Sequence, residues 1–374
     1  MRRLSAWARS RLKSSSPELN RQDAKASKSN FFGVLGALAV QFFRSARTEQ
    51  QGLGLWLLPV VGYFVFPDYL VLGSQMLIAG LFALSLDLCL GYAGIVSLGH
   101  AAFFGTGAYT AGLLVLHGWH EPLSGLAAAA GMAALVGYST SYLVVDARGL
   151  GRLMVTLGIG LLLHEVANRA SSVTGGTDGL SGLEPSALLG HFRFELSGKT
   201  AYVYCAGVGL CGFLLARRVV QSPFGLALRG VRENASRMPA LGVPVRRRLI
   251  AVYTLAAALA GVAGALSAQT TAFVGLESLG FERSASVLIM LVLGGTGRLY
   301  GAWLGSCAFL LLQHLLSEQS PAFWQFWLGL LVVGISLFAR GGLLGVFAQL
   351  RAALRARRSR RRPPTSAEAP GHGA

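Results

Sequence analysis

A chain of 374 residues with 53% hydrophobic and only 13% charged residues, and a mean hydropathy of +0.54, has too little polar surface to cover itself in water. It needs lipid around it, which excludes a soluble globular protein. The formal charge of +17 sits in three blocks: ten Lys and Arg between Met1 and Arg47, eight between Arg217 and Arg248, and eight between Arg340 and Arg362. Apolar runs long enough to cross a bilayer separate these blocks, and a nucleic-acid binder would not divide its charge in that way. Lys and Arg collect in cytoplasmic loops, so all three blocks are expected on the cytoplasmic side.

Residues 1–50 read as a basic cytoplasmic extension with no cleavage-site pattern behind an early apolar core, unlike a signal peptide. Within it Phe31 to Phe43 is apolar but too short to span, and is expected as an interfacial helix. Cutting the remaining apolar runs at charges, Pro and Gly clusters gives ten spans, at 53–67, 70–91, 94–116, 123–145, 153–170, 201–218, 249–272, 284–297, 299–317 and 323–340. The first and eighth are short, as a tilted, broken or re-entrant segment would be. The fold class is therefore all-α: a polytopic membrane bundle of about ten helices over 51–340, with both termini cytoplasmic. A long cytoplasmic loop covers 219–248, and 341–374 is a basic tail of disordered composition.

Ten spans put Arg148, Arg152, the 217–248 block, Arg298 and the tail on one side. Only Arg169, Arg193, Lys199 and Arg283 fall on the other, against eight acids, so an even count is favoured. The four cysteines lie inside apolar runs with neither a disulfide framework nor metal-ligand spacing. The GxxxG at Gly301 and Gly305, and the pair Ala260 and Gly264, mark close helix packing.

In chain order, Asp87 is the most deeply placed acid, unless its span ends there and leaves it at the cytoplasmic interface. The segment 91–112 is too rich in Gly for a plain lipid-facing helix. Its Ser97, His100, Tyr109 and Thr110 face either an aqueous translocation path or neighbouring helices through hydrogen bonds. Thr174, Gly175, Gly176 and Asp178 open a Gly-rich turn suited to unusual backbone angles, an outer gate or loop in which Asp178 is placed to cap the following turn.

No enzyme motif survives inspection. Gly198-Lys199-Thr200 lacks the earlier Gly of a phosphate loop, where Arg193 stands. His164-Glu165 lacks the second His of a zinc protease helix, since residue 168 is Asn168. Gly295 and Gly297 lie between spans, not after a strand. No catalytic residue, metal site or cofactor is expected, and any ATP used must be bound by another chain.

Four segments carry a resemblance. GYAGIVSLGHAAFFGTGAYTAG at 91–112 resembles the signature of the branched-chain amino acid permease subunits of bacterial ABC importers. TGGTDGL at 174–180 is similar to that family's outer-loop motif, at the family's spacing from Thr156-Leu157. SPFGLALRGVRENASRMPALGV at 222–243 resembles its cytoplasmic loop, and LVLGGTGRLYGAWLG at 291–305 its late glycine motif. The resemblance runs in family order over about 70–340. It implies an inner-membrane subunit that pairs with a second related permease subunit, two ABC ATPase subunits and a periplasmic substrate-binding protein. It also implies a cargo of branched-chain or other hydrophobic amino acids, or related amides, urea or aromatic acids.

The resemblance makes the loop at 219–248 the ATPase coupling loop, with Gly225, Arg229, Arg232, Glu233, Asn234, Ala240 and Gly242 in its motif. A short helix from about Gly225 is expected there, stopped by Pro239, with Ala240-Leu241-Gly242 as a turn. Arg229 and Arg232 would offer bidentate contacts to acids on the ATPase, and Glu233 would pair with Arg229 or with a partner's Arg. The alternative for this stretch is a solvated loop without a partner. Two departures stand out: Gly151-Arg152 replaces the family's aromatic pair, and Leu161 and His164 replace its membrane Glu and following Arg. Asp87 stands where the family usually has Asn. A secondary active transporter of small organic solutes is the competing function, and would need Asp87 or Glu165 as an intramembrane carboxylate.

Overall fold

The computed structural model describes residues 69–183 and 198–319, with isolated positions at 59, 63, 64, 323, 325–327, 329 and 330. The interfacial helix expected at 31–43, most of the spans at 53–67 and 323–340, and the tail lie outside the described residues. Those that are described are almost entirely helical. Six helices are long and apolar enough to cross a membrane, with a shorter apolar helix over Ala101–Leu116.

The first helix, α1 (Leu70–Asp87), ends in one wide π turn over Leu88–Tyr92. Helix α2 (Ala101–Leu116) begins only after an irregular stretch, so the expected span at 94–116 is corrected: its first third is unwound. Gly94, with φ +71°, makes the turn out of α1 that most side chains would resist, and Ile95 donates back to the Cys89 carbonyl at 2.8 Å. Helix α3 (Pro122–Asp146) opens with Pro in its first turn, where the absent N–H costs nothing. Helices α4 (Leu150–Arg169) and α5 (Lys199–Gln221) follow, α4 leading into a helical turn at Ser171–Thr174.

Between α5 and the next long helix lies α6 (Pro223–Asn234), then a 3₁₀ turn at Met238–Leu241. The helix stops at Asn234, five residues before Pro239. The Asn234 carboxamide oxygen accepts from Ser236 Oγ at 2.7 Å and from the Arg237 amide at 3.3 Å, drawing the backbone out of the helix. Helix α7 (Val245–Thr271) ends in an irregular stretch that includes the 3₁₀ turn Leu276–Leu279. Helix α8 (Phe281–Gly294) is only 14 residues long, and α9 (Leu299–Gln319) closes the described region.

Helix α7 is central. In its most apolar stretch 67% is buried in the chain, against 17% for α4 at the periphery. Lipid gives helices no hydrophobic reason to associate, so their contact depends on small residues that let backbones approach. Gly107 of α2 lies against the Gly261 backbone of α7, Gly261 against Ala129 and Ala133 of α3, and Gly264 against the Phe104 backbone. Gly301 and Gly305 of α9 leave no space for a side chain beside Gly294 and Gly295. Gln269 of α7 adds a polar tie, accepting from Tyr204 Oη at 2.9 Å and donating to the Pro122 carbonyl at 3.0 Å.

The chain alternates direction, so its irregular parts gather at two ends. One end holds the π turn, α6, the loop at 295–298 and the exposed Arg246–Asp146 ion pair at 3.0 Å. The other holds residues 174–183 and 272–280, joined by antiparallel β1 (Leu180–Ser181) and β2 (Phe273–Val274), with Leu180 opposite Val274 and Ser181 opposite Phe273. Leu180, Leu183, Val274 and Leu279 pack there with Tyr109 and Val115 into one apolar cluster.

Candidate functional site

Three groups of residues expected from the sequence can now be placed, beginning where α6 meets the π turn. Asp87 is fully buried, and its Oδ1 accepts the Gly297 N–H from the α8–α9 loop at 2.7 Å. One turn on, the Gly91 carbonyl accepts from Arg232 Nη1 of α6. The Arg229 guanidinium lies 5.2 Å from the centre of the Tyr92 ring, in cation–π range. Gly91 is wedged between the Asp87 carboxylate and the Gly297 backbone, and the Arg232 stem covers Gly94. Three segments far apart in sequence thus converge at one joint.

Arg229 and Arg232, expected as contacts to an ATPase, both engage their own chain here, because the π turn presents a carbonyl and a ring face within their reach, and Arg232 is also exposed. Asp87 sits beside α6 and holds backbone in place. Exposed at this end are Arg232, Glu233, Arg237, Arg246, Arg247 and two large apolar side chains, Leu226 (57% exposed) and Leu241 (75%). Gly225 is buried against the Val220 backbone, Asn234 ends the helix, and Ala240 and Gly242 lie in the exposed turn, Gly242 at φ +77°.

The unwound stretch before α2 is held from two sides. The Leu98 N–H donates to Thr156 Oγ1 of α4 at 3.2 Å, and the Ala101 N–H to Ser284 Oγ of α8 at 2.9 Å. His100 is fully buried, with Nε2 2.9 Å from Ser85 Oγ. Ser85 Oγ also donates to the Phe82 carbonyl at 2.6 Å, so the hydroxyl links the imidazole to the α1 backbone. The ring stacks on Phe82 at 5.7 Å and meets Phe103 edge-on. Of the two roles open to His100, the geometry is that of an interhelical hydrogen bond. Ser97 is fully buried beside the Tyr253 hydroxyl, and Tyr109 is buried against the far-end cluster.

Between this stretch, α4 and the start of α8 lies a cleft of about 90 Å³. Its walls include Leu98 and Gly99, Leu157, Leu161 and His164 of α4, and Phe281 and Ser284. Nothing in the sequence singled out Leu98 or Ser284. The available signal was position: Leu98 lies inside the signature, and Leu157 beside the Thr156 that anchors the motif spacing.

At the far end, Thr174 Oγ1 donates to the Ala167 carbonyl at 2.5 Å and accepts from the Gly176 N–H at 3.3 Å. Gly175, Gly176 and Gly179 all have positive φ, and backbone closes the turn, Gly179 N–H to the Gly176 carbonyl at 3.3 Å. Asp178 is exposed, and this backbone bond does the closing expected of its carboxylate. Among the described residues no cluster of His, Cys, Asp or Glu is arranged to hold a metal ion.

Residues 70–339 match the family model described as branched-chain amino acid transport system / permease component. The high-affinity branched-chain amino acid transport system permease protein LivM of Escherichia coli K12 is 29% identical over 287 residues, covering 70% of this chain and 66% of its own length. LivM of Salmonella typhimurium is 27% identical over 327 residues, covering 79% and 76%. The autoinducer 2 import system permease protein LsrC of Klebsiella pneumoniae is 36% identical over 133 residues, 33% of this chain and 37% of that one. No solved structure matches the chain. The family match runs over well more than half of the sequence and contains every joint described above, so this protein belongs to the permease components of branched-chain amino acid transport systems.

Proposed function

We propose that the chain is the membrane path of an ATP-driven importer in a bacterial inner membrane, passing branched-chain or similar hydrophobic amino acids delivered by a periplasmic binding protein. The end carrying α6 faces the cytoplasm. There Arg148, Arg152, Arg217, Arg218, Arg229, Arg232, Arg237, Arg246, Arg247, Arg248 and Arg298 outnumber Asp87, Asp146 and Glu233. Ten spans with both termini on that side agree with this balance. The partners are a second related permease subunit and two ATPases, and α6 is the element an ATPase moves.

One observation carries this reading: α6, set between two membrane-length helices, donates through Arg232 to the Gly91 carbonyl, beside the Asp87 bond to Gly297. A displacement of α6 is thereby delivered to the π turn and to the α8–α9 loop. Leu226 and Leu241 offer an ATPase groove apolar anchors, and Glu233 and Arg237 a polar rim.

The test is uptake into proteoliposomes holding this chain, its sister permease and the ATPases, with loaded binding protein outside and ATP inside. Leucine accumulation that requires ATP, together with a cross-link from Leu241→Cys to the ATPase, is expected. Accumulation by this chain alone under an ion gradient would overturn the proposal in favour of a secondary transporter.

A further inference from the structure

We infer that the corner where α3 turns into α4 is a binding site for an anionic phospholipid, with Arg148 and Arg152 on its headgroup phosphate and the outer faces of the two helices against its acyl chains.

The corner lies where hydrocarbon gives way to headgroups. Helices α3 and α4 are both of membrane length, and only the short connection at 147–149 joins them. Their outward faces stay apolar up to that connection, with Leu143, Leu150 and Met154 exposed by 62%, 77% and 68%. Tyr138 and Tyr142 are exposed one and two turns before the end of α3, as aromatic residues are at a membrane interface. Beside Gly149 and Gly151 the surface is open, so nothing in the chain itself covers the corner.

The charges at this corner do not balance. Asp146 is its acid, and Arg246 of α7 engages both carboxylate oxygens at 3.1 and 3.0 Å while lying 5.5 Å from the centre of the Tyr142 ring. Among the described residues no ion pair engages Arg148 or Arg152. The Arg152 Nε donates to the Val144 and Ala147 carbonyls at 3.2 and 3.1 Å, which pins its guanidinium to the last turn of α3. It is thereby held near enough to Arg148 for the two like charges to repel. A phosphate between them relieves that repulsion and accepts from two planar donor groups. A free phosphate would leave Leu143, Leu150 and Met154 unused, whereas a diacyl phosphate uses the basic corner and the apolar wall together.

The test is native mass spectrometry of the full chain in detergent, supplied with equal amounts of dioleoyl phosphatidylglycerol and dioleoyl phosphatidylcholine. Bound phosphatidylglycerol is expected to dominate, and Arg148→Gln and Arg152→Gln each to lower the ratio of the two lipids about fivefold. Arg298→Gln, an exposed arginine on the α8–α9 loop, is expected to leave the ratio unchanged. Arg152→Lys separates binding from architecture: it keeps the charge and loses the Nε donor, so it should lower Tm while the preference for phosphatidylglycerol persists. Arg148, which is exposed, keeps the test open if the Arg152 variants do not fold. A wild type without preference, or an Arg148→Gln ratio no lower than that of Arg298→Gln, overturns the proposal. So does displacement of the bound lipid by inorganic phosphate, which would make the corner a site for a free anion. Loss of the lipid when a sister permease is added would make the corner a subunit contact, and overturns it as well.

Discussion

The two ends of the bundle solve the same problem by different means. Each must fix a stretch where helices stop, and each does so within a few residues of a turn rich in glycine. At the α6 end the tie is made by side chains: the buried Asp87 carboxyl group on a backbone N–H, a guanidinium on a carbonyl, and a second guanidinium on a ring. At the far end it is made by backbone, a two-residue strand pair and turns at Gly175, Gly176 and Gly179. Side-chain hydrogen bonds can be exchanged for others when an element moves, whereas a backbone ladder either holds or breaks. The α6 end is therefore suited to passing on motion, and the far end to resisting it.

Substitutions test that contrast, and the largest effect is expected at Gly91. A Gly91→Val side chain has no space between Asp87 and the Gly297 backbone, so a joint that passes on motion should fail as a unit. The expected outcome is loss of folded protein, or at least ~3 kcal/mol of stability, seen as an aggregated peak in gel filtration and a lowered Tm.

Asp87→Ala should come next, leaving the buried Gly297 N–H without its acceptor at a cost of about 1–3 kcal/mol. Asp87→Asn keeps an oxygen for that N–H and should recover most of the Tm. If Ala and Asn lower Tm equally, the Gly297 bond is not what the carboxylate contributes.

Arg232→Lys tests transmission directly. A compact ammonium replaces the planar fork, so ATP hydrolysis should continue while leucine carried per ATP falls severalfold. Unchanged coupling would place the motor's contact elsewhere.

At the far end the expected changes are smaller and purely conformational. Gly182→Ala forces an Ala to φ +73° in open space, costing about 1–2 kcal/mol. Gly175→Ala, with the same φ, also crowds the Gly179 carbonyl and should lower Tm more. Neither should alter the ratio of transport to hydrolysis, and a change in that ratio would break the contrast between the ends.

The sequence exposed the long helices because length and hydropathy alone specify a span: 70–91, 123–145 and 249–272 each end within a few residues of α1 with its π turn, α3 and α7. It did not expose the break before α2. Hydropathy registers composition, and residues 94–100 are as apolar unwound as they would be in a helix. Polarity drew attention to Ser97 and His100, which are buried in packing, while the cleft beside them is lined mainly by leucines and glycines and was marked only by the position of Leu98 and Leu157 and by the departures at Leu161 and His164. The end of α6 was legible in kind but not in place, since Pro239 is a visible stop and the Asn234 side chain acts earlier.

The wide turn at Leu88–Tyr92 carries one residue more than an ordinary helical turn would need. Successive helical residues differ in azimuth by about 100°, so that extra residue sets the compass bearing of everything leaving α1. Deleting Cys89 would leave a good helix, but would swing Tyr92 out from under Arg229 and carry the Gly91 carbonyl away from Arg232. The length of the chain within these five residues thus sets the direction in which the unwound stretch departs.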